Sequence, residues 1–376
     1  MDFRRSDEQE ARHAWMKDAA GALTEAASPG GSRTPDWPAL AATGLLGAAV
    51  PQEYGGGGLG ALDTALLYEA AGEGCADTGL LFAAAAHLFA CVRPLVEFGS
   101  ERIRKALLPA LCSGELVAGN AMTEPDAGSD VSHLATRATK VEGGYLLDGV
   151  KSFVSNGPVA GLYVTYATTD PGGAYFSTTA FAVDRNSPGL VVGPPMEKTG
   201  LTSCQAGRIA FTRCFVPDDR VVGSPGQGRL VFETSMEWER SCLFAIYLGQ
   251  QERLIGQCVQ HARERSQFGK RLADHQAVAD RLAGMRLRLE SGRLLLHRAC
   301  AEIDDGEDAS LWAALAKLAV SEAAVATALD AARIFGGRGH LTEYGIEQQV
   351  RDALPATTFS GTSDIQRRLI AREMGL

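Results

Sequence analysis

The sequence contains no CxxC pair, no HExxH, and no other short cysteine or histidine spacing of the kind a zinc site uses. Its eight cysteines (Cys75, Cys91, Cys112, Cys204, Cys214, Cys242, Cys258 and Cys300) are scattered, which suits free thiols in a reducing compartment rather than a disulfide framework. No bound metal is expected. Positive charge is not in excess either: a net charge of −9 argues against a nucleic-acid partner. The longest apolar run, Gly79 to Val92, is interrupted by His87 and too short to cross a bilayer. It reads as a buried core helix, so no membrane insertion is expected. The opening "MDFRRSDEQE" is charged and acidic, unlike a signal or transit peptide. A soluble, cytoplasmic protein is the expectation.

What is present fills 376 residues, enough for two or three domains with sizeable cores. Residues 1–118 are rich in Ala and Leu and read as helices joined by Gly/Pro turns such as "SPGGS" and "PQEYGGGGLG". Residues 119–224 change to short, β-branched runs ("YLLDGV", "LYVTYAT", "TTAFAV", "GRIAFTRCFV"), as in an antiparallel barrel or sandwich. Residues 225–376 return to long helical patterns. Val278, Leu282, Met285, Leu289, Leu296, Ala299 and Ile303 share one helical face. Leu311, Leu315, Leu318, Val325 and Leu329 form another stripe, which stops at Gly336-Gly337, a C-cap signal. The fold expected is therefore α+β and multidomain: a helical domain, a central antiparallel β domain and a helical bundle.

Several motifs have both a structural and a chemical reading. "GGGGLG" (55–60) satisfies GxGxxG, but no strand–turn–helix surrounds it, so a flexible interhelical loop is the better reading. In "AMTEPDAGSD" (121–130), Thr123 and Ser129 offer hydroxyls and backbone N–H groups to a polar cofactor edge; a plain domain-linking turn explains it equally well. In "GVKSFVSNG", strand alternation puts Phe153 and Ser155 on one face, where an aromatic ring and a hydroxyl can hold a planar heterocycle, or simply make a strand. "RERSQFGKRL" (263–272) is either a solvated basic turn or a pyrophosphate contact.

Two further features concern acid–base chemistry. Phe232, Met236, Leu243 and Ile246 make an apolar helical stripe, and Glu239 lies inside it. A carboxylate there is costly unless it is paired or its raised pKa is useful; an ion pair to a neighbouring helix is the commoner explanation. The segment "TTFSGTSDIQRR" (357–368) reads as a capping box from Ser363 to Gln366, placing Gly361 and Thr362 at a helix N-terminus that can hold a polarised oxygen. Ser360 precedes it with no Ser-His-Asp arrangement or nucleophile elbow nearby, which excludes a serine hydrolase.

In this order, "LLGAAVPQEYGGGGLG", "AMTEPDAGSD", "KSFVSNG", "RSQFGKRLADHQ", "IFGGRGHLTEY" and "FSGTSDIQRRLIARE" resemble the acyl-CoA dehydrogenase family of flavoproteins over nearly the whole chain. The resemblance implies an N-terminal helical domain, a central β domain and a C-terminal four-helix bundle. It also implies one FAD per subunit lying partly across an interface, in a homodimer or homotetramer. Carried over by position, Met122, Thr123, Gly128 and Ser129 would line the flavin, with Phe153 and Ser155 covering its ring. Arg265, Gln267, Phe268 and Gln276 would reach a neighbouring subunit's FAD. Gly337 would lie beside the diphosphate, and Thr362 and Asp364 near the adenosine. Many relatives have Trp at Phe153 and Gln at Arg333, so this chain departs from the pattern there.

The implied chemistry is α,β-dehydrogenation of an acyl thioester, on CoA or on an acyl-carrier protein, with an electron-transfer flavoprotein or another acceptor taking the electrons. Many relatives place the catalytic glutamate immediately before the Gly-Thr/Ser turn; this sequence has Ser360 there, and a hydroxyl is far too weak a base. A minority, resembling isovaleryl- and long-chain-type members, place it on a bundle helix before an arginine, where this chain has Glu239-Arg240. The resemblance thus makes Glu239 the expected base and Ser360, Gly361 and Arg240 the groups beside the substrate. Three other readings are an aminoacyl-carrier-protein dehydrogenase of specialised metabolism, a flavin monooxygenase on the same fold, and a non-catalytic flavin- or partner-binding relative.

Overall fold

The computed structural model describes residues 4–25, 34–170 and 176–376, so the "SPGGS" turn lies outside the described residues. The first region is helical: α1 (Asp7–Glu25), α2 (Trp37–Ala42), α3 (Ala61–Gly74), α4 (Thr78–His87), α5 (Arg93–Phe98) and α6 (Glu101–Cys112). Asp36, Asp77 and Ser100 cap α2, α4 and α6 by accepting from the N–H groups of Ala39, Leu80 and Ile103. A π-helical turn, Leu88–Val92, joins α4 to α5 without a break. Pro94 follows it; proline has no N–H and crowds the carbonyl four residues back, which a widened turn relieves.

The helical stretch Thr78–Phe98 therefore runs 21 residues, longer than the apolar run alone suggested, and its most apolar 18-residue window has mean hydropathy 1.7. It and Ser310–His340 meet the length and apolarity of a membrane span, but 89% of the first one's apolar window is buried inside the protein.

The "GGGGLG" segment links helices, as expected, but is pinned rather than flexible. Gly57, Gly58 and Leu59 donate backbone hydrogen bonds to Gly47, Val50 and Ala48. A Cβ on Gly56 would lie 2.1 Å from the Val50 carbonyl oxygen, so only glycine permits this approach.

The middle region forms one eight-stranded sheet: β1 (Ala118–Ala121), β2 (Arg137–Val141), β3 (Gly144–Ser155), β4 (Leu162–Thr168), β5 (Thr178–Asp184), β6 (Leu190–Val192), β7 (Ala206–Pro217) and β8 (Val221–Val222). The order is β6-β7-β3-β2-β4-β5-β8, with β1 on β4. Most pairings are antiparallel; β1 and β2 run parallel to β4, which strand-by-strand patterning does not show. β4 is buried along nearly its whole length, because it lies between its sheet neighbours and the helices.

The last region contains α7 (Gly228–Trp238), α8 (Ala245–Glu264), a hairpin of β9 (Ser266–Gln267) and β10 (Lys270–Arg271), α9 (Gln276–Asp304), α10 (Ser310–Phe335), α11 (Ile346–Ala353) and α12 (Ser363–Glu373). α8, α9 and α10 pack on one another, with α12 against α10 and α3 against α8. On α9, Met285, Leu289, Leu296 and Ala299 are buried as their spacing predicts. The α10 stripe behaves differently. Its inward face is Ala313, Ala316, Lys317, Val320, Ala324, Thr327 and Ala331, whereas the leucines remain partly exposed. Small residues let the helices approach closely, and the leucines face away from this chain's core. Gly336, at φ 58°, ends α10 as read from the sequence.

Candidate active site

Helix α7 does not stop at Trp238. It widens into a π-helical turn, Glu239–Leu243, and leads through Phe244 into α8. The extra residue in such a turn breaks the 3.6-residue register, and such turns recur at functional sites. This turn packs against the π-turn at Leu88–Val92. Glu239 is buried there, as its place in the apolar stripe requires.

The expected ion pair to another helix is not what holds Glu239. One carboxylate oxygen accepts a short hydrogen bond from the Ser360 hydroxyl, more than a hundred residues away in sequence. Its other oxygen, Oε2, is buried with no hydrogen-bond partner among the described residues. Burial pushes the Glu239 pKa up; the Ser360 hydrogen bond and the Arg240 charge oppose it without overcoming it. The Arg240 side chain is half-buried and turned to the same segment, Nε donating to the Ser360 carbonyl at 3.1 Å.

Ser360 and Gly361 both adopt left-handed backbone conformations, φ 55° and 87°. That is unfavourable for serine and natural for glycine. The strain is held by contacts to the Ser360 carbonyl, from Arg240 and from Gln366 Nε2 at 3.2 Å. The N–H groups of Ser360 and Gly361 have no partner among the described residues. Phe359 walls the site, 4.6 Å from the Phe82 ring and 5.3 Å from that of Phe244. A buried carboxylate of raised basicity thus lies beside a turn whose two N–H groups have no partner among the described residues.

The helix cap is shifted by one residue from the sequence reading. Thr362 is the N-cap of α12, its hydroxyl accepting from Ile365 N at 3.2 Å, and Ser363 is the first helical residue. Gln366 does not reach back to an N–H; it donates to the carbonyls of Ser360 and Gly361. Asp364 is exposed and paired with Arg367.

A second cluster joins the other expected residues. Met122 and Thr123 lie beside β3: Ser152 N donates to Thr123 O at 2.8 Å and Lys151 Nζ to Met122 O at 2.9 Å. Gly128 and Ser129 are exposed on the same loop. The alternation of β3 breaks between Lys151 and Val154, so period two does not set the Phe153 direction. Phe153 sits at φ 57° and is 65% exposed, an aromatic ring presented outward beside Ser155. The loop is fixed by a pair that sequence reasoning missed. Glu124 accepts from Lys151 Nζ at 2.8 Å and from the N–H groups of Ala135 and Thr136, with the Glu124 and Lys151 side chains both buried. Burial raises the Glu124 pKa, but the Lys151 charge and these hydrogen bonds bring it below the usual glutamate value.

The remaining residues gather elsewhere, at the ends of α8 and α10. Arg265 caps α8, and Phe268 is the tip of the β9–β10 hairpin, 95% exposed, with Gln267 on β9 and Gln276 opening α9. His261 stacks on Phe335 at 4.3 Å, joining this end to Gly336-Gly337, where a Cβ on Gly337 would meet nothing within 4 Å. Arg333 pairs with Asp330 at 3.1 Å. Arg338 and Arg265 both act on His261, so this end is basic and open, a fit for a diphosphate, as the hydroxyls and ring of the first cluster fit a flavin. Among the described residues there is no group of His, Cys, Asp and Glu that would hold a metal.

Family models describe the same architecture. Those for the acyl-CoA dehydrogenase N-terminal, middle and C-terminal domains match residues 8–115, 119–214 and 226–375. The chain is 50% identical, over all of both chains, to an L-prolyl-[peptidyl-carrier protein] dehydrogenase of Pseudomonas fluorescens. Among solved structures it resembles an FAD complex of PigA, with TM-score 0.98 and 40% identity over all of both chains. It also resembles the prolyl acyl carrier protein oxidase AnaB, with TM-score 0.96 and 35% identity over 99% of this chain and 100% of that one.

Proposed function

The chain belongs to the acyl-CoA dehydrogenase family, and from that premise we propose that its substrate is an L-prolyl group held as a thioester on a carrier protein, with Glu239 as the base. It is an FAD-dependent oxidoreductase acting on the CH–CH bond of an acyl thioester. The observation that carries the choice of base is the buried Glu239 carboxylate, one oxygen fixed by Ser360 and the other free. The prolyl reading is supported by similarity to a prolyl-carrier-protein dehydrogenase along the entire chain and to a prolyl acyl carrier protein oxidase along 99% of it.

The α-proton of a thioester is weakly acidic, so it leaves only as negative charge moves onto the thioester oxygen. The free N–H groups at Ser360 and Gly361 are the donors for that oxygen, held in place through the Ser360 carbonyl. Glu239 takes the α-proton through its unpartnered oxygen. A desolvated carboxylate gains basicity. FAD, when bound, supplies the two-electron acceptor for the β-hydride, so a Cα=Cβ bond is left as both C–H bonds break. Met122, Thr123, Ser129, Phe153 and Ser155 would hold its ring system, and the basic end near Gly337 the diphosphate of a flavin shared with a second subunit.

Because the base must be ionised, kcat/KM should fall as pH drops through the raised Glu239 pKa, placing the acid limb above that of an ordinary glutamate. The Ser360 hydroxyl favours the charged form, so Ser360→Ala should raise that pKa further and move the acid limb to higher pH. A pH profile of both proteins checks the direction; an unmoved or lowered limb contradicts it.

Partners follow in the same reading. Leu287 and Leu294 on α9 are 68% and 51% exposed, and the α10 leucines are partly open, which supports a homodimer or homotetramer through the bundle. An electron-transfer flavoprotein or another acceptor takes the electrons, and the eight free, buried cysteines suit the cytoplasm. The test of the function is anaerobic bleaching of the flavin by a panel of thioesters. L-prolyl-carrier protein should bleach it, and straight-chain acyl-CoA only weakly. Efficient bleaching by acyl-CoA with none by the prolyl carrier would overturn the substrate assignment.

A further inference from the structure

Strand β4 is buried, yet it carries two tyrosines that are treated differently. Tyr163 donates to the carbonyls of Gly157 at 2.8 Å and Ala160 at 3.3 Å. Tyr166 is equally buried, and its hydroxyl has no hydrogen-bond partner among the described residues. A buried phenol left in that state is costly and calls for an explanation, which a bound polar group would supply.

Its surroundings say where. The Tyr166 ring meets Phe232 edge-on, with centroids 5.7 Å apart. Phe232, Ser235 and Glu239 follow one another along one face of α7 and its π-turn at helical spacing. Ser235, beside Tyr166, turns its hydroxyl to the Phe232 carbonyl at 2.8 Å. Burial foremost, with the nearby Cys91 thiol and Glu239 carboxylate, drives the phenol's pKa up, and the adjacent Ser235 hydroxyl opposes this without overcoming it, so the hydroxyl keeps its proton as a donor. Two unpartnered buried polar atoms thus lie along this face of α7: Glu239 Oε2 on its π-turn, and the phenol oxygen of Tyr166, whose strand packs its ring on Phe232.

A hydrocarbon acyl group beside Glu239 would leave the Tyr166 hydroxyl unsatisfied. An acyl group with nitrogen on its α-carbon, beside the proton that Glu239 removes, would not. We propose that Tyr166 is a specificity-determining residue whose hydroxyl hydrogen-bonds the amine on the substrate's α-carbon, selecting a cyclic amino-acyl thioester over its carbocyclic counterpart. This rests on the prolyl reading given above and names the residue that enforces it.

The test compares wild type with Tyr166→Phe on two thioesters sharing one pantetheine arm, L-prolyl and cyclopentanecarbonyl, by anaerobic flavin reduction and kcat/KM. Wild type should prefer the prolyl thioester. The variant should lose about 10- to 100-fold on it and nothing on the carbocycle, so that the preference collapses. The carbocycle reports folding and flavin loading in the same protein. Equal losses on both thioesters, or no loss on either, would overturn the role of Tyr166 while leaving the prolyl reading intact. A wild type reduced by the carbocycle and not by the prolyl thioester would overturn both.

Discussion

Replacing Glu239 with glutamine should lower kcat by about 10²- to 10⁴-fold while the protein retains its FAD. The amide has nearly the same shape, and its oxygen can still accept from Ser360, so the Ser360–Gly361 turn should keep its geometry. What is lost is a proton acceptor, and no neighbour replaces it. Ser360 is a neutral hydroxyl, and Glu237 is directed to Ser310 at 3.2 Å. Flavin absorbance and turnover with an artificial acceptor check the two halves of the expectation separately. Glu239→Asp, which keeps the carboxylate but draws it back by one methylene, should fall between wild type and the amide.

The second large effect is on stability. Lys151→Met should destabilise the fold by about 3–5 kcal/mol, because it leaves the Glu124 carboxylate buried without its cation. Lys151 also holds the Met122 carbonyl, so the flavin-side loop should loosen and FAD retention fall. Urea unfolding of the apoprotein reads the first effect and flavin content of the holoprotein the second. Adding Glu124→Gln should recover part of the loss, since the remaining neutral amide costs far less to bury than an unpaired carboxylate. A double variant no better than Lys151→Met would show that the pair's geometry, rather than its charge balance, is what the loop needs.

Much of the site was legible in the sequence because its central residue breaks a local rule. Glu239 stands on an apolar stripe, and that conflict is visible in a single helical window. The π-turn beneath it was not legible, since one inserted residue leaves the stripe's composition unchanged. The three textures followed from periodicity, whereas the parallel pairing of β1 with β4 depends on contacts distant in sequence. Glu124 and Lys151 lay inside motifs already singled out. Lys151 and Phe153 stand at the irregularity in β3, where a regular strand pattern does not say which way a side chain turns. The α10 leucines misled for a different reason: a stripe shows that a face is apolar, but not whether its own chain or another covers it. Tyr166 left only a faint sign, one of four hydroxyls in a strand buried along nearly its whole length. Its significance depends on its having no partner, which only the three-dimensional structure shows.

The central claim, that Glu239 removes the α-proton as the acyl thioester is oxidised, is tested most directly with an α-deuterated L-prolyl thioester mixed anaerobically with the yellow holoenzyme. Wild type should bleach with a primary isotope effect and release the deuterium to solvent, and Glu239→Gln, at equal FAD content, should do neither. Bleaching of that variant at the wild-type rate would contradict the account.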